Sequence, residues 1–168
     1  VVKPKDAITV AKKIEGLAPQ STILTVVAGI EISKYPTPAS VIRSMPNTAS
    51  AYNKGITALY TKDQLSPAFK NACNLFERVG HIMVLENEDD IHSFTSIIGS
   101  GQAFLFQVLN LYLKELKAIN KDGDEHATNI FQDFVSSLGD LFKKERDFEI
   151  LINKIKSPGG TTQAGLES

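Results

Sequence analysis

The sequence has 168 residues, a length that corresponds to one domain or to one domain and part of another. Its net charge of −1, with acids and bases interspersed, argues against nucleic-acid-binding and membrane-surface proteins, because both need a concentrated basic face. The most apolar run, Ala103–Leu113, is shorter than the ~20 residues of a membrane span. Cys73 is the single cysteine, so no intrachain disulfide can form, which is consistent with a reducing cytoplasmic compartment.

The first half of the chain alternates helical and strand patterns. Val1-Val2 looks like the end of a strand, and Pro4–Leu17 has apolar residues at helical spacing. The β-branched run Thr22–Val27 is typical of a strand covered on both faces. Ser66-Pro67 opens a helix that runs to Val79. Further strands are predicted at residues 41–45, 55–61 and 81–85. This alternation predicts an α/β sheet of largely parallel strands.

After about Glu86 the pattern becomes helical. Asn87 is predicted to cap a helix that ends at Ile98, where Gly99–Gly101 interrupts it. The next helix, Gln102–Ile119, is apolar around nearly its whole circumference, which predicts burial on all sides. We therefore expect this helix to lie in a dimer core. Two more helices are predicted, one with an apolar stripe over residues 130–142 and one at residues 147–156.

The strongest candidate site is the loop Ser157–Thr162, with the sequence SPGGTT. The backbone N–H groups of Gly160, Thr161 and Thr162 would lie at a helix start, where unpaired donors and the helix dipole attract a carboxylate or phosphate. The alternative is an ordinary interhelical turn with threonine caps.

Two weaker candidates follow predicted strands, namely Met45–Thr48 (MPNT) and Ala28-Gly29. In open α/β sheets, ligands bind outside the carboxyl ends of the strands. Each segment is equally consistent with a simple strand exit.

No metal site is predicted. His81, His92 and His126 lack metal-ligand spacing, and Glu88–Asp90 fits a first helical turn favoured by the dipole. The sequence also contains no G-x-G-x-x-G motif, since the third glycine after Gly99 and Gly101 would fall at Phe104.

Taken in order, these segments resemble pyrroline-5-carboxylate reductase. The matching segments are Val2–Pro4, Val27–Ile30, Arg43–Thr48, Leu75–Gly80, Gly99–Phe104 and Ser157–Glu167. The resemblance implies the C-terminal part of a Rossmann-type NAD(P)-binding domain (residues 1–86) joined to a helical substrate-binding and dimerisation domain (residues 87–168). It also implies that the Gly-rich N-terminal half and the extreme C-terminus lie outside this sequence.

The resemblance implies an enzyme that reduces the C=N bond of pyrroline-5-carboxylate to proline with NADPH or NADH, the last step of proline biosynthesis. The sequence by itself would then be inactive, and the whole protein would form a homodimer or an oligomer of dimers in the cytoplasm. The implied partner is this small-molecule substrate, with no nucleic acid and no membrane.

The resemblance also assigns residues to roles. Thr162 would be the catalytic residue, with a hydroxyl that hydrogen-bonds the ring nitrogen. Glu145, on the helix before the loop, matches an acidic residue of the family. It would support the residues that contact the substrate without contacting the substrate itself. The substrate carboxylate would be held by Ser157, Gly159, Gly160, Thr161 and Thr162. The nicotinamide half of the cofactor would be lined by Val2, Lys3, Pro4, Ala28, Gly29, Asn47 and Thr48.

Three positions depart from the family pattern. Gln102 replaces a proline, Ile98 replaces a serine, and Asp133 lies in a helix that is richer in small residues in the family. The departures at Gln102 and Asp133 motivate a second hypothesis, a non-catalytic dimerisation or binding scaffold derived from the same fold. The retained loop residues Ser157, Gly159, Gly160 and Thr162 argue against it. A dehydrogenase for another small acid ranks last, because it would need a catalytic lysine in the long helix.

Overall fold

A computed structural model describes residues 2–37 and 41–168. Contacts divide the chain into two compact units, Val1–Phe106 and Gln107–Ser168, each of which is described by itself. The first unit is an α/β sheet with its covering helices, and the second is helical. The predicted fold class, α/β followed by all-α, is confirmed.

The elements lie close to the predicted positions. The first unit contains α1 (Pro4–Leu17), β1 (Ile23–Thr25), β2 (Val41–Met45), β3 (Gly55–Tyr60), α2 (Pro67–Glu77), β4 (Gly80–Val84) and α3 (Asp90–Phe94), with short 3₁₀ helices at Ile32–Lys34 and Thr48–Tyr52. A π turn, Thr95–Gly99, then leads into α4 (Gly101–Ile119), and α5 (Asp124–Lys144), α6 (Phe148–Ile155) and α7 (Thr161–Leu166) come after it. The strand end predicted at Val1-Val2 is not seen at Val2, and Val1 lies outside the described residues.

The sheet has the order β1-β2-β3-β4. The β1–β2 and β3–β4 pairs are parallel, but β2 and β3 are antiparallel, so the predicted largely parallel sheet is mixed. The reason is the length of the connection between β2 and β3. Residues 46–54 form a short turn with a 3₁₀ helix, whereas a parallel pair needs a crossover of about a dozen residues or more.

The core covers both faces of β2. On one face Val41 and Met45 pack with residues of α1 and α3, such as Ala11 and Ile91. On the other face Ile42 packs with Leu59, Phe69 and Ala72, which belong to β3 and α2. Thus β2 is buried along its whole length.

The predicted two-sided burial of Thr22–Val27 is wrong for β1. Leu24 is 37% exposed and Val26 is 51% exposed. Within the described residues β1 is an edge strand that pairs only with β2. The described residues alone therefore leave one face of β1 partly uncovered.

One buried ion pair joins three segments of the first unit. Arg43 on β2 is 1% exposed, and its Nη1 donates to Glu88 Oε1 at 2.8 Å. The same carboxylate oxygen accepts the backbone N–H of Ile32 at 2.6 Å. Glu88 was predicted to belong to a first helical turn, but α3 begins at Asp90 and Glu88 instead neutralises a buried guanidinium.

The parallel strands β3 and β4 begin at a close contact of two glycines. Gly80 has φ 148°, a conformation that residues with side chains rarely adopt. A Cβ atom at Gly80 would overlap the backbone of Gly55, its register partner. The two strands can therefore start side by side only because Gly80 has no side chain.

The helix α4 is apolar on nearly all sides but is only partly covered by the described residues of its own chain. Among the described residues of α4 none is buried, and Phe104 and Leu105 are each 66% exposed. By length and composition alone, the helical run Asp90–Ile119 is also able to cross a membrane. The placement of α4 in a dimer core stays a prediction.

Candidate active site

The loops after β1 and β2 meet at one edge of the sheet. The two strands are parallel and in register from Ile23↔Val41 to Thr25↔Arg43, so their carboxyl ends lie at the same edge. Ala28-Gly29 follows β1 and Asn47-Thr48 follows β2, so the structure brings both predicted segments to this edge. Gly29 has φ 76°, a left-handed conformation that glycine adopts readily, so the backbone turns sharply at this edge.

Asn47 holds the turn after β2. Its Oδ1 accepts the N–H of Ile56 on β3 at 3.0 Å, and Asn53 closes the 3₁₀ helix in a left-handed conformation with φ 56°. The side chain of Asn47 is therefore used within the fold, and Thr48 is the exposed side chain at the start of the 3₁₀ helix.

Thr48 contacts the start of α4. Its Oγ1 donates to Gln102 Oε1 at 2.9 Å, although the two residues are 54 positions apart in the chain. The sequence indicated Gln102 only as a departure from the family pattern. Its contact with Thr48 could not be read from spacing.

Val2, Lys3 and Pro4 lie at the start of α1. Lys3 is the N-cap and its carbonyl accepts the N–H of Asp6 at 3.0 Å, while Pro4 occupies the first helical turn. Val2 and Val27 line the same apolar groove of about 240 Å³ between α1 and β1. The start of α1 and the segment after β1 are thus neighbours, and the cofactor role predicted for Val2, Lys3 and Pro4 stays a prediction.

The loop Ser157–Thr162 joins α6 to α7 as a tight turn. Gly159 has φ 70°, and its N–H donates to Gln163 Oε1 at 2.9 Å. The N–H of Gly160 donates to the carbonyl of Ser157 at 3.0 Å. The prediction that the Gly160 N–H is free for an anion is therefore wrong, because this donor closes the turn.

Two donors of the loop stay available. Within the part of the chain that the structure describes, the N–H groups of Thr161 and Thr162 have no acceptor. They are the first two N–H groups of α7 and lie beside the hydroxyls of the same residues. This arrangement suits a carboxylate group.

Glu145 supports the loop indirectly. It ends α5, and its Oε2 accepts from Lys154 Nζ on α6 at 3.0 Å. Because α6 leads directly into the loop, this pair fixes the element that precedes Ser157. Among the described residues Glu145 thus pairs with α6 and makes no hydrogen bond to the loop itself.

No activated nucleophile or metal centre emerges from the described residues. Burial raises the pKa of the Cys73 thiol, and the nearby carboxylate of Glu77 raises this pKa further. Within residues 2–37 and 41–168 no group of three or more His, Cys, Asp or Glu side chains could hold a metal ion. The candidate chemistry therefore rests on backbone donors and hydroxyls.

Sequence comparisons connect this chain to one enzyme family. Residues 88–168 match the family model described as pyrroline-5-carboxylate reductase dimerisation. Pyrroline-5-carboxylate reductase 2 of Bacillus subtilis is 30% identical over 99% of this chain and 61% of its own length. The pyrroline-5-carboxylate reductase of Staphylococcus haemolyticus is 28% identical over 99% of this chain and 63% of its own length. The chain thus spans about three fifths of the length of these relatives.

Solved structures show the same fold. One of them is the pyrroline carboxylate reductase of Plasmodium falciparum, which was solved with NADP bound. It has a TM-score of 0.84 at 22% identity, and the match covers 99% of this chain and 69% of the Plasmodium falciparum chain. The 1-pyrroline-5-carboxylate reductase of Streptococcus pyogenes has a TM-score of 0.81 at 26% identity, with 99% of this chain and 65% of its own covered.

Proposed function

We propose that this chain is part of a pyrroline-5-carboxylate reductase, because residues 88–168 match that family's dimerisation model and the chain resembles reductases of that name over 99% of its length. The whole protein would reduce the C=N bond of 1-pyrroline-5-carboxylate to proline with NADPH or NADH. The single observation that carries this proposal is the SPGGTT loop, whose two unpaired N–H groups and adjacent hydroxyls suit a carboxylate. A cytoplasmic location is part of the same proposal.

The carboxyl edge of β1 and β2 fits the nicotinamide half of the cofactor. Gly29 brings backbone to this edge without a side chain, and Thr48 presents an exposed hydroxyl beside it. Val2 and Val27 add apolar surface at the neighbouring groove. NADPH or NADH bound at this edge would supply a hydride to the imine carbon. Part of the support is that the Plasmodium falciparum relative was solved with NADP bound.

The loop residues would bind and orient the substrate. The N–H groups of Thr161 and Thr162 would hold the carboxylate, and Ser157 would add a hydroxyl. The Thr162 hydroxyl would donate to the ring nitrogen, which gains the electron pair of the C=N bond as the carbon is reduced. A positioned donor at that atom stabilises the developing charge and guides the proton to it.

The first test is the oxidation of NADPH or NADH driven by pyrroline-5-carboxylate, measured on the protein with its natural termini. Turnover is the expected result. A folded protein that binds the dinucleotide but shows no turnover would contradict the reductase proposal and favour the scaffold, which the departures at Gln102 and Asp133 suggest.

Thr162 gives the sharpest single-residue test. Thr162→Ala should lower turnover by about one to three orders of magnitude, the range for losing one positioned donor. Thr162→Ser keeps the hydroxyl and should retain most of the turnover. Unchanged turnover in Thr162→Ala would remove this hydroxyl from the mechanism.

We also propose that α4 pairs with α4 of a second copy in a homodimer or in an oligomer of dimers. The support is the exposure of its apolar side chains, such as Phe104 and Leu111, together with the match of residues 88–168 to a dimerisation family.

A further inference from the structure

A π turn places the first residues of α4. The Ser100 N–H donates to the carbonyl of Thr95 at 2.7 Å, which is the five-residue spacing of a π turn. Such a turn adds a residue to the helix and rotates the residues after it, and it often occurs at functional sites. A Cβ atom at Gly101 would lie only 3.3 Å from the carbonyl oxygen of Ser96, so glycine fits best at the start of α4.

The residue after Gly101 reaches the carboxyl edge of the sheet. Gln102 accepts a hydrogen bond from Thr48, which lies in the loop after β2. Thr48 is exposed and Gln102 is half-buried, so the pair is accessible to a ligand. Among the described residues the Gln102 Nε2 atom donates to no acceptor, and Thr48 Oγ1 has no other partner.

The pair offers one donor and one acceptor side by side. With the Gln102 amide oriented as in the structure, Nε2 is the donor and the lone pairs of Thr48 Oγ1 are the acceptor. If the amide is turned over, the Thr48 hydroxyl becomes the donor and Gln102 Oε1 the acceptor. Turning the amide exchanges the positions of the donor and the acceptor, but both orientations offer one of each. Either orientation is the complement of a primary carboxamide, which has one acceptor oxygen and an NH₂ donor and can rotate to match.

We propose that Gln102 and Thr48 together bind the carboxamide of the nicotinamide ring, which makes Gln102 a specificity-determining residue. This inference rests on the proposed function, since it needs a nicotinamide cofactor at the carboxyl edge of β1 and β2. A proline at this position, as in the family pattern, has neither the donor nor the acceptor.

The test compares NADPH or NADH with its reduced 3-acetylpyridine analogue, which keeps the carbonyl oxygen but lacks the NH₂ group. Kd is measured by fluorescence titration of the protein with its natural termini. The unaltered protein should bind the natural cofactor about 2- to 10-fold more tightly, the value of one hydrogen bond. Gln102→Ala should weaken binding of the natural cofactor by a similar factor and leave the analogue nearly unchanged, because the remaining Thr48 hydroxyl can still donate to the carbonyl.

Two further variants separate this role from a structural one. Gln102→Glu keeps the shape and the bond from Thr48 but removes the donor, so it should weaken both cofactors to a similar extent. Gln20→Ala alters an exposed glutamine in the loop before β1 and should change neither Kd.

The outcomes distinguish the inference from the function on which it depends. If Gln102→Ala keeps the preference of the unaltered protein for the carboxamide, the inference is overturned while the reductase proposal stands. If the unaltered protein binds neither dinucleotide, the reductase proposal itself is overturned, and the inference with it.

Discussion

A single residue, Glu88, neutralises the buried positive charge in the core of the first unit. Its carboxylate neutralises Arg43 and accepts the N–H of Ile32, which is fully buried. The loop after β1, the strand β2 and the approach to α3 therefore depend on one oxygen atom. The second guanidinium nitrogen of Arg43, Nη2, is buried without a partner among the described residues, so the charge of Arg43 depends on Glu88.

We expect Glu88→Gln to lower the free energy of unfolding by about 3 kcal/mol. The amide keeps the shape but leaves the charge of Arg43 buried and unpaired, and breaking a buried pair costs about 3–5 kcal/mol. We expect the lower end of this range of free energies because the side chain of Glu88 is 19% exposed and so not fully removed from water. Urea denaturation measures the change. Glu86→Gln, at an exposed position, is the matched control, and equal stability of the two variants would contradict the prediction.

Cys73 should react slowly in the folded protein. Burial, and then the carboxylate of Glu77, raise the pKa of this thiol, and only the thiolate is alkylated. At pH 8 we expect iodoacetamide to modify Cys73 more slowly in the native protein than in urea, and Glu77→Gln to speed the native reaction. Equal native and denatured rates would show that the thiol is not shielded.

The same shift of the Cys73 pKa makes stability depend on pH. Because the pKa is raised in the folded state, the unfolded chain loses its thiol proton first as pH rises. The contribution of Cys73 is therefore complete below the pKa of the unfolded thiol and is lost as pH rises through the folded value. Replacing Cys73 with serine should remove this alkaline dependence in urea titrations at several pH values.

Residue types in a local pattern were predictable, and contacts between distant residues were not. The loop Ser157–Thr162 was found as a turn at a helix start, and the structure confirms that geometry. The pairing of Arg43 with Glu88 joins residues 45 positions apart, and no spacing rule indicates it. The use of the Gly160 N–H within the turn was missed because sequence shows which donors are present, but not which acceptor lies nearest.

Among the elements, α2 carries the clearest local signals. Ser66 was predicted as its N-cap, and the structure confirms this, since Ser66 Oγ accepts the N–H of Phe69 at 3.3 Å. The same hydroxyl donates to the carbonyl of Asp63 at 2.8 Å and so also fixes the entry of the chain into the helix.

We expect Ser66→Ala to destabilise the protein by about 1 kcal/mol, the usual value of an N-cap. Thermal unfolding followed by circular dichroism measures the loss. Ser66→Asp can still cap the helix and should lose less. Ser21→Ala removes an exposed hydroxyl without a recorded hydrogen bond and should stay within about 0.5 kcal/mol of the unaltered protein. A loss as large in Ser21→Ala would contradict the capping role.

The spacing of apolar residues predicted the helices and strands, because each of these elements buries one face or lies between two layers. It failed where the backbone departs from regular geometry. Gly99–Gly101 was interpreted as a break, yet the backbone continues through the π turn Thr95–Gly99 into α4. A π turn has no sequence period of its own, so composition alone suggests an interruption. The predicted start at Asn87 was also early, since α3 begins at Asp90.

At the scale of the whole molecule, the helix α4 exposes many of its apolar side chains to solvent. Leu111 is 53% exposed and Tyr112 is 63% exposed, in a helix that a soluble protein would normally cover. The sequence predicted both this need for burial and a second copy to meet it, and among the described residues of α4 none is buried by the chain itself. The predicted domain boundary at 86/87 stays a prediction, although the family model begins nearby, at residue 88.

We expect the protein with its natural termini to be a dimer or a larger oligomer in light scattering. Leu111→Asp should shift it towards the monomer, because a buried, unpaired carboxylate opposes association. Gln20→Asp adds the same charge at an exposed loop position and should leave the mass unchanged. A strictly monomeric unaltered protein at high concentration would contradict the role proposed for α4.

The glycine contact between β3 and β4 limits which substitutions this protein can accept at Gly80 during evolution. Every codon change that replaces Gly80 places at least one carbon atom inside the backbone of Gly55. Because the clash is with main chain and not with a flexible side chain, no second substitution at Gly55 relieves it. We therefore expect selection for folding alone to act against any side chain at Gly80, whether or not the position affects cofactor or substrate.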